Sequence, residues 1–123
     1  MKFRNVAGRG IFGESKVKGK LPMTGKYMAY VGSYSYTGKA KGITVYDVNV
    51  EAGKFIYRCE VEVDNSSYLK ASQNGQILYS IADEGVVAFR VLPNGSLARL
   101  NSANIRGMRG CHLSTSNADD YIF

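Results

Sequence analysis

The sequence is poor in the residues that bind metals or cross-link small folds. It has one histidine and two cysteines, Cys59 and Cys111, among its 123 residues. A structural zinc site takes four closely spaced ligands of these types, so no metal site is predicted. Two cysteines are also too few for a disulfide scaffold. We therefore expect both thiols to be free and buried, as in a protein of the reducing cytoplasm.

Long apolar runs and helical periodicity are missing as well. No stretch approaches the ~18 apolar residues that cross a membrane, and the N-terminus lacks the uninterrupted apolar region of a secretory signal. Apolar residues nowhere recur at i, i+3, i+4 and i+7 over the length of a helix. The sequence therefore predicts a cytoplasmic, all-β protein with no membrane partner.

Excess positive charge is confined to one end of the chain. The formal net charge is +6, and residues 1–26 account for all of it, with seven basic residues against Glu14. The remaining residues carry nine basic and nine acidic groups. Because that larger part is balanced, the charge does not indicate a nucleic-acid partner. We predict a basic, Gly- and Lys-rich leader over residues 1–25 and a domain over residues 26–123.

The leader contains a motif associated with dinucleotide binding. Gly8 to Gly13 fit the pattern G-x-G-x-x-G. The dinucleotide site also needs a helix after the motif and an acidic residue about 20 positions further on, and neither is present. The match is interpreted as chance, and no nucleotide site is predicted.

A repeat of a little over forty residues organises the rest of the chain. Tyr68–Tyr79 recurs as His112–Phe123, and Gly42–Val48 recurs as Gly85–Val91. Short strands at this period are typical of β-propellers, which have about four strands per blade. The sequence predicts an all-β fold made of two to three propeller blades. We expect the ring to be open and the domain to be truncated at its C-terminus, because the last repeat stops at Phe123.

The start of the last repeat carries the candidate functional residues. His112 occupies the place of Tyr68 one repeat earlier, on the strand that lines the central channel of a propeller. Arg106 and Arg109 lie in the preceding loop. Arginine suits carboxylate or phosphate oxygens, and imidazole transfers protons near neutral pH. We predict His112 as a catalytic residue and Arg106, Arg109 and Tyr68 as substrate-binding residues.

A purely structural interpretation of the same residues stays open. In that case His112 hydrogen-bonds the backbone of a neighbouring blade, the two arginines are solvated, and Tyr68 packs without taking part in chemistry.

Five segments together resemble the 6-phosphogluconolactonase-like, seven-bladed β-propeller lactonase family. They agree with the family in order, spacing and blade period, and they lie within residues 26–123. These segments are Tyr30–Ser35, Lys41–Tyr46, Asn65–Ser72, Glu84–Arg90 and Gly110–Ser114. The resemblance covers only the first third of a family member, so the chain is expected to hold the N-terminal blades of a seven-bladed ring.

The resemblance implies a sugar-lactone hydrolase, with a phosphorylated sugar lactone, 6-phosphogluconolactone of the pentose phosphate pathway, as its small-molecule substrate. It implies no metal or organic cofactor. Because the family's later blades are absent, the chain by itself is expected to be inactive, and whether it is an enzyme is left open. Three alternatives remain: a propeller that binds a ligand without chemistry, a relative that acts on muconate-type lactones, and a truncated reading frame without a function of its own.

Overall fold

The computed structural model describes residues 27–123, which form seven β-strands and no helix. The strands are β1 (Tyr27–Gly32), β2 (Gly42–Asn49), β3 (Lys54–Glu62), β4 (Leu69–Ala71), β5 (Ile77–Ala82), β6 (Gly85–Val91) and β7 (Leu97–Asn104). The predicted leader, residues 1–25, lies outside the described residues together with its glycine motif.

The strands form two sheets in which neighbours in the chain are also neighbours in space. The first sheet has the order β1-β2-β3 and the second the order β4-β5-β6-β7, with every pair antiparallel. Antiparallel strands that follow one another across a sheet are the arrangement of a propeller blade. The prediction of all-β blades is confirmed, and residues 27–123 do not close a ring.

The two sheets also share an irregularity at the same place in the repeat. Pairing of β2 with β3 shifts register between Val45 and Tyr46, and pairing of β6 with β7 shifts between Ala88 and Phe89. The two shifts lie 43 residues apart, which is also the offset between Gly42–Val48 and its recurrence, Gly85–Val91. A bulge bends its strand and increases the local twist, so both blades curve at equivalent positions.

The hairpin turns follow from short polar residues and glycines. Asn49 and Asn94 each accept a backbone hydrogen bond inside their turn, from Ala52 at 2.9 Å and from Ser96 at 3.0 Å. An Asn side chain that bonds the backbone a few residues on stabilises such turns. These turns set the spacing of the strands that carry the core.

Apolar side chains fill the space on both faces of the second sheet. One face packs against the first blade, through contacts of Leu78, Val87 and Phe89 with Ile43 of β2 and with Val63, which directly follows β3. The other face holds a second cluster that reaches the residues after β7; its buried members are Ile77, Tyr79, Ile81, Val86, Ala88, Leu113 and Ile122. Blades stacked face to face bury such continuous cores, which single blades cannot do.

The third repeat begins, but with less regular structure than predicted. The repeat predicts that Cys111–Ser116 opens a further blade as its first strand, whereas the structure has one isolated bridge there, between Thr115 and Ile122. Two hydrogen bonds between Ser114 and Phe123, each 2.9 Å, extend the pairing by one step. The bridge corresponds to the pairing of Ala71 with Leu78 one repeat earlier.

The prediction of buried thiols is wrong for Cys111. Both cysteines are free, but Cys59 is half-buried and Cys111 is exposed. The physical reason is position: Cys111 precedes the paired part of its repeat, whereas Leu113, two residues later, is the first side chain to enter the core.

A tyrosine links the first sheet to the turn between β6 and β7. The Tyr30 hydroxyl donates a hydrogen bond to the carbonyl oxygen of Gly95 at 2.8 Å. Burial raises the pKa of Tyr30 above its ordinary value of 10.0, the positive charge of Arg58 partly opposes this, and Cys59 adds to the rise. The protonated hydroxyl is therefore favoured in the folded state.

We expect Tyr30→Phe to lower the free energy of unfolding by about 1 kcal/mol at neutral pH, the usual net value of one hydrogen bond. Because the folded pKa is the higher one, the stabilisation from Tyr30 is complete below pH 10 and is lost as the pH rises through the folded pKa. Urea denaturation between pH 7 and 11 should show a shallower alkaline loss of stability in the variant. Burial also raises the pKa of Tyr79, with a further rise from Asp119, so part of the slope should remain.

Tyr36→Phe serves as the matched control for this experiment, because Tyr36 is 73% exposed and its hydroxyl has no hydrogen-bond partner within residues 27–123. It should change neither the neutral stability nor the alkaline slope. An unchanged alkaline slope in Tyr30→Phe would contradict the prediction.

Candidate functional site

The starts of the second and third repeats lie side by side. The ring of Tyr68 packs against the imidazole of His112, with centroids 4.8 Å apart and planes inclined by 55°. Ser67 donates a hydrogen bond of 3.4 Å to the carbonyl oxygen of Gly110 beside them. The structure thus brings together two of the residues that the repeat places at equivalent positions.

The two rings differ in their exposure. Tyr68 is half-buried and packs on the cluster that contains Leu113 and Ile122. His112 is exposed, and its imidazole has no hydrogen-bond partner within residues 27–123. The alternative that His112 bonds a neighbouring blade's backbone therefore has no support in the described part of the chain. The rigid phenol supports the imidazole from one side and leaves its nitrogens accessible.

The loop before His112 is held by backbone hydrogen bonds to the β5–β6 turn. The amide of Ile105 donates to the Glu84 carbonyl at 3.0 Å, and the amide of Arg109 donates to the Asp83 carbonyl at 2.9 Å. The Asn104 side chain accepts from the amide of Arg106 at 2.6 Å. The loop is therefore fixed at both of its ends.

Both arginines of this loop have left-handed backbone conformations. The φ angles are 55° at Arg106 and 49° at Arg109. Non-glycine residues adopt this region infrequently, and each such position costs about 1 kcal/mol or more. The hydrogen bonds to Asp83, Glu84 and Asn104 offset this cost and set the direction in which the arginine side chains leave the loop.

Arg109 and Arg106 differ in what holds their side chains. The Nε atom of Arg109 lies 3.5 Å from the Asp83 carboxylate, with 60% and 37% of the two side chains exposed. Arg106 is exposed and its guanidinium has no partner within residues 27–123. The Arg109 contact uses the Nε side of the group, which leaves its two terminal nitrogens for an anion.

A buried asparagine that was not among the predicted site residues completes this arrangement. Asn65 is 6% exposed and has a φ of 51°. Its Nδ2 atom donates to both oxygens of Asp83, at 2.8 and 3.0 Å. Its Oδ1 atom accepts from the backbone amides of Ser35 and Tyr36, at 2.9 and 3.1 Å.

The sequence held only a weak signal for this asparagine. Asn65 directly precedes the Ser66-Ser67-Tyr68 start of a repeat, and asparagine tolerates the left-handed region better than most residues. Its partners lie 18 and about 30 positions away in loops, so only the folded chain shows that they meet.

A cavity of about 320 Å³ adjoins the site and includes Asp83 and Asn104 in its lining. Its other charged lining residues are Asp64, Glu84 and Arg99. Three carboxylates against one guanidinium repel an anion, so this cavity does not suit a phosphate group. The candidate phosphate-binding groups are instead the guanidinium of Arg106 and the terminal nitrogens of Arg109, on the loop that leads to His112.

No group of three or more His, Cys, Asp or Glu side chains in residues 27–123 is arranged to hold a metal ion. In the same part of the chain, no helix is long and apolar enough to cross a membrane. In residues 27–123, the imidazole of His112 is exposed, and the loop that precedes it in the chain carries two arginines.

Comparison with known proteins places this chain in a family. Residues 28–123 match the family model described as Lactonase, 7-bladed beta-propeller. The chain belongs to this family of seven-bladed β-propeller lactonases, and the resemblance inferred from the sequence is confirmed.

Individual relatives agree with this assignment. The chain is 30% identical over 101 residues to a 6-phosphogluconolactonase of Formosa agariphila and 30% identical over 103 residues to a 6-phosphogluconolactonase of Bacillus subtilis. These matches cover 76% and 79% of this chain. They cover 29% of each relative, so the chain spans under a third of the curated proteins that it matches.

Two crystal structures are similar to the fold. A candidate 6-phosphogluconolactonase of Bacteroides fragilis superposes with a TM-score of 0.65 at 33% identity, over 73% of this chain and 26% of that protein. A candidate 6-phosphogluconolactonase of Bacteroides uniformis has a TM-score of 0.64 at 26% identity, over 72% and 27% of the two chains.

Proposed function

We propose that this chain forms the N-terminal blades of a cytoplasmic sugar-lactone hydrolase whose substrate is 6-phosphogluconolactone. The observation that carries the proposal is the contact between Tyr68 and His112 beside an arginine loop, in a member of the lactonase family. Two curated relatives are 6-phosphogluconolactonases, which supports the choice of substrate.

The residues of this site suit the opening of a lactone by water. The His112 imidazole accepts a proton from a water molecule as the water oxygen bonds to the lactone carbonyl carbon. The bond between that carbon and the ring oxygen then breaks, the ring oxygen takes the proton from His112, and the carboxylic acid that forms ionises and releases one proton to solvent. The products are a carboxylate and a free hydroxyl, with no oxidation or reduction.

The arginines and the tyrosine have binding roles in this proposal. Arg109, and Arg106 next to it, contact the phosphate oxygens, for which the planar guanidinium provides paired donors. Tyr68 packs against His112 with the two ring planes inclined by 55°, and it contacts the bound substrate beside the imidazole. No metal or organic cofactor takes part.

A ring-shaped active site collects residues from many blade starts. Residues 27–123 supply two blades and the beginning of a third. We propose that residues 1–123 alone do not accelerate lactone hydrolysis, because positioning and electrostatic preorganisation need the remaining walls of the site. Catalysis by the 123-residue chain would overturn this part of the proposal.

The direct test is hydrolysis of 6-phosphogluconolactone by the full-length protein, measured as acid release above the spontaneous rate. We expect His112→Ala and Arg109→Ala each to lower kcat/KM by about 10-fold or more, on the scale of losing a positioned proton-transfer group or charged contact. Arg90→Ala removes the same charge from an exposed position on β6 and should leave kcat/KM within about twofold.

The outcomes separate the competing interpretations. A wild-type protein without hydrolysis, but with saturable binding of 6-phosphogluconate, would support a propeller that only binds its ligand. Hydrolysis with unchanged kinetics in both His112→Ala and Arg109→Ala would support a purely structural role for these two residues. A preference for muconate-type lactones would replace the proposed substrate.

A further inference from the structure

We propose that Asn65 and Asp83 are positioning residues that hold the Arg109 guanidinium toward the substrate phosphate. The role in substrate binding rests on the proposed function, whereas the contact itself can be tested without it. Neither residue is expected to touch the substrate. Both act through Arg109, and Asn65 is the buried member of the three.

Asn65 has a complete set of hydrogen bonds, which fixes its orientation. Two backbone amides, from Ser35 and Tyr36, point at Oδ1, so this atom must be the acceptor and Nδ2 the donor. The amide of Asn65 itself donates to the hydroxyl of Ser35 at 3.0 Å. These hydrogen bonds hold Asn65 to the loop after β1 and fix the position of its Nδ2 atom.

The fixed Nδ2 atom in turn orients Asp83. It lies 2.8 and 3.0 Å from the two carboxylate oxygens, and hydrogen bonds to an ionised acceptor are stronger than those between neutral groups. The Asp83 carbonyl also holds the backbone of Arg109 at 2.9 Å. Asp83 therefore fixes Arg109 at two points, its amide and its Nε atom.

The geometry leaves the terminal nitrogens of Arg109 for a ligand. The contact with Asp83 is made through Nε at 3.5 Å, and neither Nη1 nor Nη2 has a partner within residues 27–123. A flexible arginine loses rotamer freedom when it binds an anion. An arginine that is already oriented loses less of it, so preorganisation appears as tighter binding.

The exposure of the Arg109 and Asp83 side chains sets the size of the expected effect on KM. Because the Arg109 and Asp83 side chains are 60% and 37% exposed, solvent screens their attraction strongly. We expect Asp83→Asn to raise KM for 6-phosphogluconolactone by about two- to fivefold and to leave kcat within about twofold. Asn65→Gly should act in the same direction, because glycine accepts the φ of 51° and removes only the side chain.

Glu84→Gln is the matched control. Glu84 is the neighbouring acid, its loss changes the charge of the site equally, and its carboxylate accepts a hydrogen bond of 3.4 Å from Asn104 rather than contacting Arg109. Glu84→Gln should leave KM unchanged. An equal rise of KM in Glu84→Gln would show a general charge effect and overturn the proposal.

A double-mutant cycle with Arg109→Ala decides whether Asp83 acts through Arg109. Asp83→Asn should raise KM in the wild-type background and have no further effect in Arg109→Ala. An effect of the same size in both backgrounds would overturn the proposal, as would an unchanged KM in Asp83→Asn. Loss of folding in Asn65→Gly would not decide the matter, since the isosteric Asp83→Asn carries the test alone.

Nuclear magnetic resonance relaxation of the Arg109 ¹⁵Nε nucleus separates this inference from the proposed function. Its order parameter should be high in the wild type and in Glu84→Gln, and lower in Asp83→Asn and Asn65→Gly. An ordered Arg109 side chain without lactonase activity would support the positioning of Arg109 and reject the proposed reaction. A disordered Arg109 side chain in the wild type would reject the positioning even in an active enzyme.

Discussion

Replacing Phe89 with alanine is expected to lower the free energy of unfolding by about 3–5 kcal/mol. Phe89 is 1% exposed and is the largest fully buried side chain of residues 27–123. It lies in β6, next to the bulge, and packs with Ile43 and Val63 across the space between the two blades. Truncation removes apolar contacts and leaves a cavity that the sheets on either side cannot close.

Phe55→Ala is the control for this variant. Phe55 makes a ring contact with Tyr46 at 5.9 Å but is 65% exposed on β3. Its truncation should cost under about 1 kcal/mol. Urea denaturation followed by circular dichroism checks both values. Similar losses in the two variants would show that the packing of Phe89 between blades contributes little to stability.

The repeat explains why so much of this fold could be predicted from the sequence. Turn residues and alternating apolar residues recur at one period, and the repeated segments Gly42–Val48 and Gly85–Val91 both form strands, β2 and β6. The recurrence also carries information about shape, since the two bulges occupy equivalent positions. Local patterns set both strands and turns, and a second copy reduces the chance of a false match.

The prediction was weaker for inner strands and side-chain partners. Strand β4 has only Leu69–Ala71, and its counterpart in the third repeat is a single bridge. In these short pairings, fewer ladder hydrogen bonds form than the β-propensity of the residues would allow. Pairing of these strands depends on packing against neighbouring segments, and Leu113 and Ile122 pack in this way. The β-propensity of a residue does not show whether such packing will be available to it.

In the candidate site as well, one contact could be predicted from the repeat and another could not. Tyr68 and His112 were related through the repeat, and the structure places their rings in contact. The link from Asn65 to Asp83 could not be found that way, because it joins non-equivalent loops and has no counterpart in the periodic pattern. A repeat predicts the strands and contacts that neighbouring blades have in common. It does not predict contacts such as Asn65 with Asp83, which one blade makes and the next does not.

We expect Gly42→Ala to be severely destabilising, on the order of 4 kcal/mol. Gly42 begins β2 with a φ of 124°, and a Cβ atom there would overlap the carbonyl oxygen of Val63 and lie 2.8 Å from its nitrogen. Both of these Val63 atoms belong to the backbone. They cannot move away without breaking the hydrogen bond of 2.9 Å from the Val63 amide to the Lys41 carbonyl. Backbone strain and steric overlap therefore add.

Gly53→Ala separates these two contributions. Gly53 has a φ of 60°, but nothing lies within 4 Å of the position that its Cβ would occupy. This variant should show the cost of the left-handed conformation alone, about 1–2 kcal/mol, which is a lower bound on the backbone strain in Gly42→Ala, because alanine adopts a φ of 124° less readily than a φ of 60°. Gly85 meets the Ala103 carbonyl in the same way one repeat later but has no positive φ, so Gly85→Ala should show the steric overlap without the backbone strain and cost less than Gly42→Ala. Equal losses in Gly42→Ala and Gly53→Ala would mean that the backbone of Val63 moves away easily from Gly42, contrary to the prediction.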